Sequence, residues 1–148
     1  MKPHTFTIQI DQPVAVVFNT LTDQSVFPEW VKAWGEGMVC EGEWAQGAHV
    51  SFFDRKQGGT KVIIDELVPN VLIKARHIAM VGPDNVEVEQ MDATMAKWIG
   101  TLEEYYFTAD TDSQTTLKVV MVADESFKEM MDLWPQALKY LKEICEAT

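Results

Sequence analysis

The order in which the hydrophobic period changes along this chain constrains its fold more than any other feature. Residues 5–10 alternate Phe6, Ile8 and Ile10 against Thr5, Thr7 and Gln9, the mark of a half-buried strand. Asp11-Gln12-Pro13 then starts a helix, with proline in the first turn, where its missing N–H costs nothing. Val14, Val17, Phe18 and Leu21 give that helix one apolar stripe. Thr22 or Asp23 is placed to cap a second short helix carrying Phe27, Trp30, Val31 and Trp34. A long run of strand pattern follows, over residues 38–40, 49–54, 60–68, 71–80, 94–109 and 115–123. The turns between these pieces, such as Lys56-Gln57-Gly58-Gly59 and Val68-Pro69-Asn70, carry ordinary turn chemistry. Strands joined by short turns pair antiparallel. The order is that of a meander, not of alternating parallel units.

The chain closes with an amphipathic segment, residues 125–146. Phe127, Met130, Trp134, Leu138, Leu141 and Cys145 recur at three- and four-residue steps, so one apolar face must lie across the sheet. At 1.5 Å per residue this is a helix of about 30 Å. Pro135 sits inside the pattern and is expected to kink the helix or divide it after Leu133 or Trp134. The expected architecture is α+β: a curved antiparallel sheet of six to seven strands wrapped around a long C-terminal helix. Two short helices lie between strands 1 and 2, and a cavity between the layers. The length, 148 residues, fits a single domain covering 1–148.

Bulk properties narrow the function. The formal net charge of −11 makes nucleic acid and anionic membranes poor partners. No apolar run approaches the ~20 residues that span a bilayer. The N-terminal MKPHTFTIQI lacks the apolar stretch of a signal peptide, so a cytoplasmic location is expected. Cys40 and Cys145 stand alone, without CxxC spacing, and read as buried structural thiols. His4, His49 and His77 show no metal-ligand spacing, so neither metal nor cofactor is expected. GxSxG, Walker and dinucleotide fingerprints do not occur.

These elements resemble a known family. Ile8-Gln9-Ile10-Asp11-Gln12-Pro13 leads into Val17-Phe18-Asn19-Thr20-Leu21-Thr22-Asp23 and then Trp30. The Gly47 turn precedes Val50-Ser51-Phe52, and Asp65-Glu66-Leu67-Val68-Pro69-Asn70 precedes the Leu72-Ile73 strand. Thr115-Thr116-Leu117 opens the last strand, and Trp134, Leu138 and Leu141 complete the pattern. Together they resemble the START-like, or SRPBCC, superfamily of helix-grip proteins. Within it they are similar to the branch named after the activator of the heat-shock-protein-90 ATPase homologue. The resemblance covers nearly the whole chain and implies an apolar or amphipathic small molecule bound under the long helix. Its motifs specify architecture rather than chemistry. Pro135 departs from the branch pattern. A lone domain of this kind is not expected to serve as a co-chaperone.

The site is expected where the concave face of the sheet meets the last helix. On residues 71–79 the set Val71, Ile73, Ala75, His77 and Ala79 faces in, while Lys74 and Arg76 face solvent. His77 is then either a satisfied core histidine or a ligand contact. On residues 97–107 one face carries Ile99, Thr101, Glu103, Tyr105 and Phe107, the other Trp98, Gly100, Leu102, Glu104 and Tyr106. The first set is expected inward, which makes Glu103 a carboxylate in an apolar cavity; the alternative puts Glu103 in water. Inward, His77 and Glu103 form a polar pair and are the candidate catalytic residues. The expected ligand contacts are Trp30, Trp34, Phe52, Ile73, His77, Trp98, Glu103, Tyr105, Met121, Trp134 and Leu138. Met38, Met130 and Met131 add adaptable wall. Three functions fit: a binder of a hydrophobic small molecule without turnover, a polyketide-cyclase-like or hydratase-like enzyme, and a chaperone-associated interaction module. A homodimer through an exposed strand or the Trp-bearing segment is left open.

Overall fold

A computed structural model describes residues 1–147. Strand β1 (Lys2–Ile10) runs into α1 (Val14–Leu21), then α2 (Phe27–Trp30) and a 3-10 turn, Val31–Trp34. A meander follows: β2 (Met38–Gly42), β3 (His49–Asp54), β4 (Gly58–Val68) and β5 (Leu72–Val81). The short helix α3 (Ala93–Ala96) precedes β6 (Leu102–Thr111) and β7 (Gln114–Ala123). A 3-10 turn, Glu125–Phe127, then leads to α4 (Lys128–Met131) and α5 (Trp134–Glu146). The strands form one antiparallel sheet in the order β1-β7-β6-β5-β4-β3-β2. This is the helix-grip fold. Among the described residues no helix is long and apolar enough to cross a membrane.

Alternation sets the buried face. In β5, Ile73, Ala75, His77 and Ala79 are buried, and Arg76 points to solvent, where it forms a fork with Asp65 (3.1 Å for each bond). Val71 departs from the expected inward set. It lies in the β4–β5 turn, ahead of the strand, and is 49% exposed. The helices close the gap between the edge strands: α5 packs on β1 and α2, and α2 packs on β2. Aromatic contacts fill these seams, with Trp134 against Phe6 (6.5 Å between centroids) and Trp30 (6.2 Å).

Three local expectations are corrected. Residues 94–100 are not strand. Asp92 accepts the Met95 N–H (2.7 Å) and caps α3, and Gly100 (φ +92°) turns the chain before β6 begins at Leu102. Neither Thr22 nor Asp23 caps α2 through its side chain. Asp23 instead accepts from Ser25 and closes the turn before it, while Thr22 ends α1. The closing segment is not one helix of about 30 Å. It is broken at Asp132–Leu133, and Pro135 stands in the first turn of α5, where no intrahelical N–H is needed. The 13 residues of α5 span about 20 Å. The break shifts the apolar stripe: Met131, not Met130, is buried, and Met130 is 37% exposed.

Candidate functional site

Between the sheet and α5 lies a cavity of about 550 Å³. Phe27, Trp30, Val31 and Trp34 wall it from the α2 side, and Met131, Leu133 and Trp134 from the α4–α5 side. Phe52, Thr60, His77, Trp98, Glu103, Tyr105 and Met121 form its floor on and beside the sheet. Met38, Met130 and Glu129 complete the lining.

A buried polar cluster sits in this floor, and the strand geometry explains why. A one-residue bulge at Ile78 separates the pairs Lys61↔Ala79 and Val62↔His77, bending β5 at His77. The His77 N–H donates to the Thr101 carbonyl (2.9 Å) and the Gly100 N–H to the His77 carbonyl (2.8 Å). The turn ahead of β6 is thereby docked on β5, which places the Trp98 ring 4.9 Å from the imidazole. The indole Nε1–H of Trp98 donates to His77 Nδ1 (3.0 Å). Indole nitrogen is donor only, so Nδ1 accepts and His77 carries its proton on Nε2. That proton goes to Glu103 Oε1 (3.0 Å). The Thr60 hydroxyl is shared between Nδ1 (2.9 Å) and the Ala79 carbonyl (3.2 Å). The Tyr105 hydroxyl donates to Glu103 Oε2.

The charges follow from the protons. With Nδ1 an acceptor, His77 is neutral, and Glu103, accepting on both oxygens, is the carboxylate. Glu103 is 8% exposed, and its only ion-pair partner among the described residues is the His77 ring. Burial, and next the adjacent Glu103 charge, hold the Tyr105 phenol well above its usual range, so it stays a donor.

The structure thus brings together Trp30, Trp34, Phe52, His77, Trp98, Glu103, Tyr105, Met121 and Trp134 around one cavity. Ile73 and Leu138 are absent from its wall; both are buried in the core (0% and 1% exposed). Trp98, from the opposite alternation set, reaches the cavity because it precedes the strand and obeys a turn, not a pleat. Phe27, Val31, Thr60, Glu129 and Leu133 line the cavity but escaped the sequence reading of the site. Thr60 looked like the first residue of a strand, and Glu129 like one more solvated acid.

Neither cysteine lines the cavity. Burial pushes the Cys40 thiol up to about 12 and also raises Cys145. Folded protein at neutral pH is expected to resist iodoacetamide at both sites, and unfolded protein to react at both. Rapid labelling of the native state, read by intact mass, would contradict this burial.

The sequence model described as Activator of Hsp90 ATPase homolog 1-like protein matches residues 11–146. The chain belongs to that family. Solved structures with the same fold include protein MLL2253 from Mesorhizobium loti, with 16% identity and a TM-score of 0.77, covering 99% of this chain and 98% of that one. The Aha1 dimer from Colwellia psychrerythraea is similar at 18% identity and a TM-score of 0.71, covering 99% and 97%. CalU16 from Micromonospora echinospora is similar at 17% identity and a TM-score of 0.67, covering 97% and 75%. At these identities the likeness shows the fold alone. No curated protein sequence matches the chain. The chain shares its family's architecture, and its cavity chemistry follows from its own residues.

Proposed function

We propose that this protein binds an apolar small molecule in the cavity between the sheet and α5, without turning it over. The observation that carries the reading is the cavity itself. Its volume of about 550 Å³ lies in the range typical of ligand sites. Its wall is built from tryptophan, phenylalanine and methionine, which give large apolar contact and adapt to shape. The few polar groups gather at one place, as expected of a pocket that orients one end of its ligand.

A panel of apolar compounds tested by thermal unfolding decides the matter. A ligand at a hundredfold excess over its Kd stabilises by about 2.7 kcal/mol, which for a chain of this size raises Tm by roughly 5–10 °C. An unmoved Tm across every compound class would remove the reading.

One observation favours a second reading, acid–base catalysis of the cyclase or hydratase type. Glu103 is a carboxylate fixed by two donors in the cavity floor, the arrangement of a positioned base. His77 is less suited to move a proton, since both ring nitrogens are already engaged. Under this reading Glu103→Gln abolishes turnover of a bound compound while leaving its binding intact.

A further inference from the structure

The ionisable groups of the cavity wall are unbalanced. Two carboxylates line it, Glu103 in the floor and Glu129 on α4, and no lysine or arginine does. The two ionisable rings of the wall, His77 and Tyr105, are both neutral, His77 by its hydrogen bonds and Tyr105 as a phenol that keeps its proton. Hence the buried negative charge of Glu103 has no positive counterpart among the described residues. A buried carboxylate without a cation is costly unless something supplies one.

The protons of the cluster point the same way. Those of Tyr105, Thr60, Trp98 and His77 Nε2 are all committed inside the protein. What remains free at Glu103 is lone pairs, and its side chain keeps 10% exposure, on the cavity side. A carboxylate, phosphate or sulfate headgroup would meet a like charge at Glu103; the unpartnered donor among the lining side chains is the buried Trp30 Nε1–H, one N–H on the opposite wall. The neighbouring wall is aromatic and continuous. Tyr105, which holds Glu103, contacts the Trp134 ring (6.1 Å between centroids), and Trp134 contacts Trp30 (6.2 Å) and Trp34 (4.8 Å). Aromatic faces attract cations, and more strongly where water is excluded.

We propose that the ligand of this cavity carries a cationic nitrogen, seated beside the Glu103 carboxylate and against the Tyr105–Trp134–Trp30–Trp34 rings, with its apolar body along the methionine-lined wall. This rests on the binding reading above and names its ligand class, a lipophilic amine or quaternary ammonium compound.

Three probes share a phenylbutyl chain and differ only at its end: trimethylammonium, the uncharged tert-butyl isostere, and carboxylate. Calorimetric titration of the wild-type protein is expected to rank them in that order. Ammonium should exceed tert-butyl by about tenfold, the factor that a partly desolvated cation–π and carboxylate contact supplies. In Glu103→Gln the ammonium preference is expected to shrink to a few-fold or vanish, while tert-butyl binds as before. Equal or tighter binding of the tert-butyl probe by the wild type would overturn the proposal and leave the apolar-binding reading standing. So would an undiminished ammonium preference in the variant. Failure of all three probes to bind would overturn the proposal, while the apolar-binding reading is decided by the thermal panel above. The wild-type ranking decides the point even if the variant folds poorly.

Discussion

Replacing His77 with phenylalanine is expected to lower the unfolding free energy by about 2–4 kcal/mol, since it leaves two buried polar groups short of a partner. The ring volume is nearly kept, so packing is not the cause. The substitution strips Glu103 Oε1 of its donor and Trp98 Nε1 of its acceptor, and both residues are buried. The informative variant is the double one, His77→Phe with Glu103→Leu. Once the carboxylate is gone, the largest part of the penalty goes with it. The double variant is therefore expected to cost less than the sum of the two single ones, by about 1–3 kcal/mol. Urea unfolding of the four proteins closes the cycle. Strict additivity would mean that the imidazole and the carboxylate are not energetically linked, against the geometry described here.

Trp134→Ala is expected to be comparably damaging, at about 3–5 kcal/mol, for a different reason. Trp134 is 4% exposed and touches Phe6, Trp30, Trp34 and Tyr105, so it joins β1, α2 and the cavity floor to the first turn of α5. Its removal merges a void with the cavity and uncouples the helix from three neighbours. The loss is read from the denaturation midpoint, with the slope against denaturant as a control for compactness. A loss below about 1 kcal/mol would show that the surrounding rings collapse into the gap.

The residues of the site were not equally legible from the chain. The alternation along β5 announced that His77 faces inward, because pairing on both sides up to Arg76 fixes the pleat of the residues that precede it. The same rule worked for Glu103 and Tyr105, which lie within β6. It failed for Trp98, since period-two reasoning was carried past the start of the strand into a segment held by the Asp92 cap. Capping depends on three atoms in a turn and leaves no periodic trace. Pro135 correctly announced a division of the closing segment. What could not be read was the change in which methionine turns inward, because the rotation at Asp132–Leu133 is set by the neighbours of Trp134 and not by local sequence. Val71 failed for a related reason: strand alternation means nothing until pairing begins, and it sits in the preceding turn.

The sheet ends on β1 and β2 without closing, and α5 and α2 complete the circuit through side chains alone. Every other joint in the ring is laced by backbone hydrogen bonds, whose spacing permits no adjustment short of breaking them. The helical joint is held by ring contacts and a few side-chain hydrogen bonds such as Lys142 to the Gln9 carbonyl, and the tilted Trp30–Trp134 pair tolerates sliding by fractions of an ångström. Compliance of the vessel is thus concentrated along one line, where Trp30 meets Trp134. Changes of residue on that line retune the girth of what fits inside, and the laced wall carrying Glu103 keeps its shape.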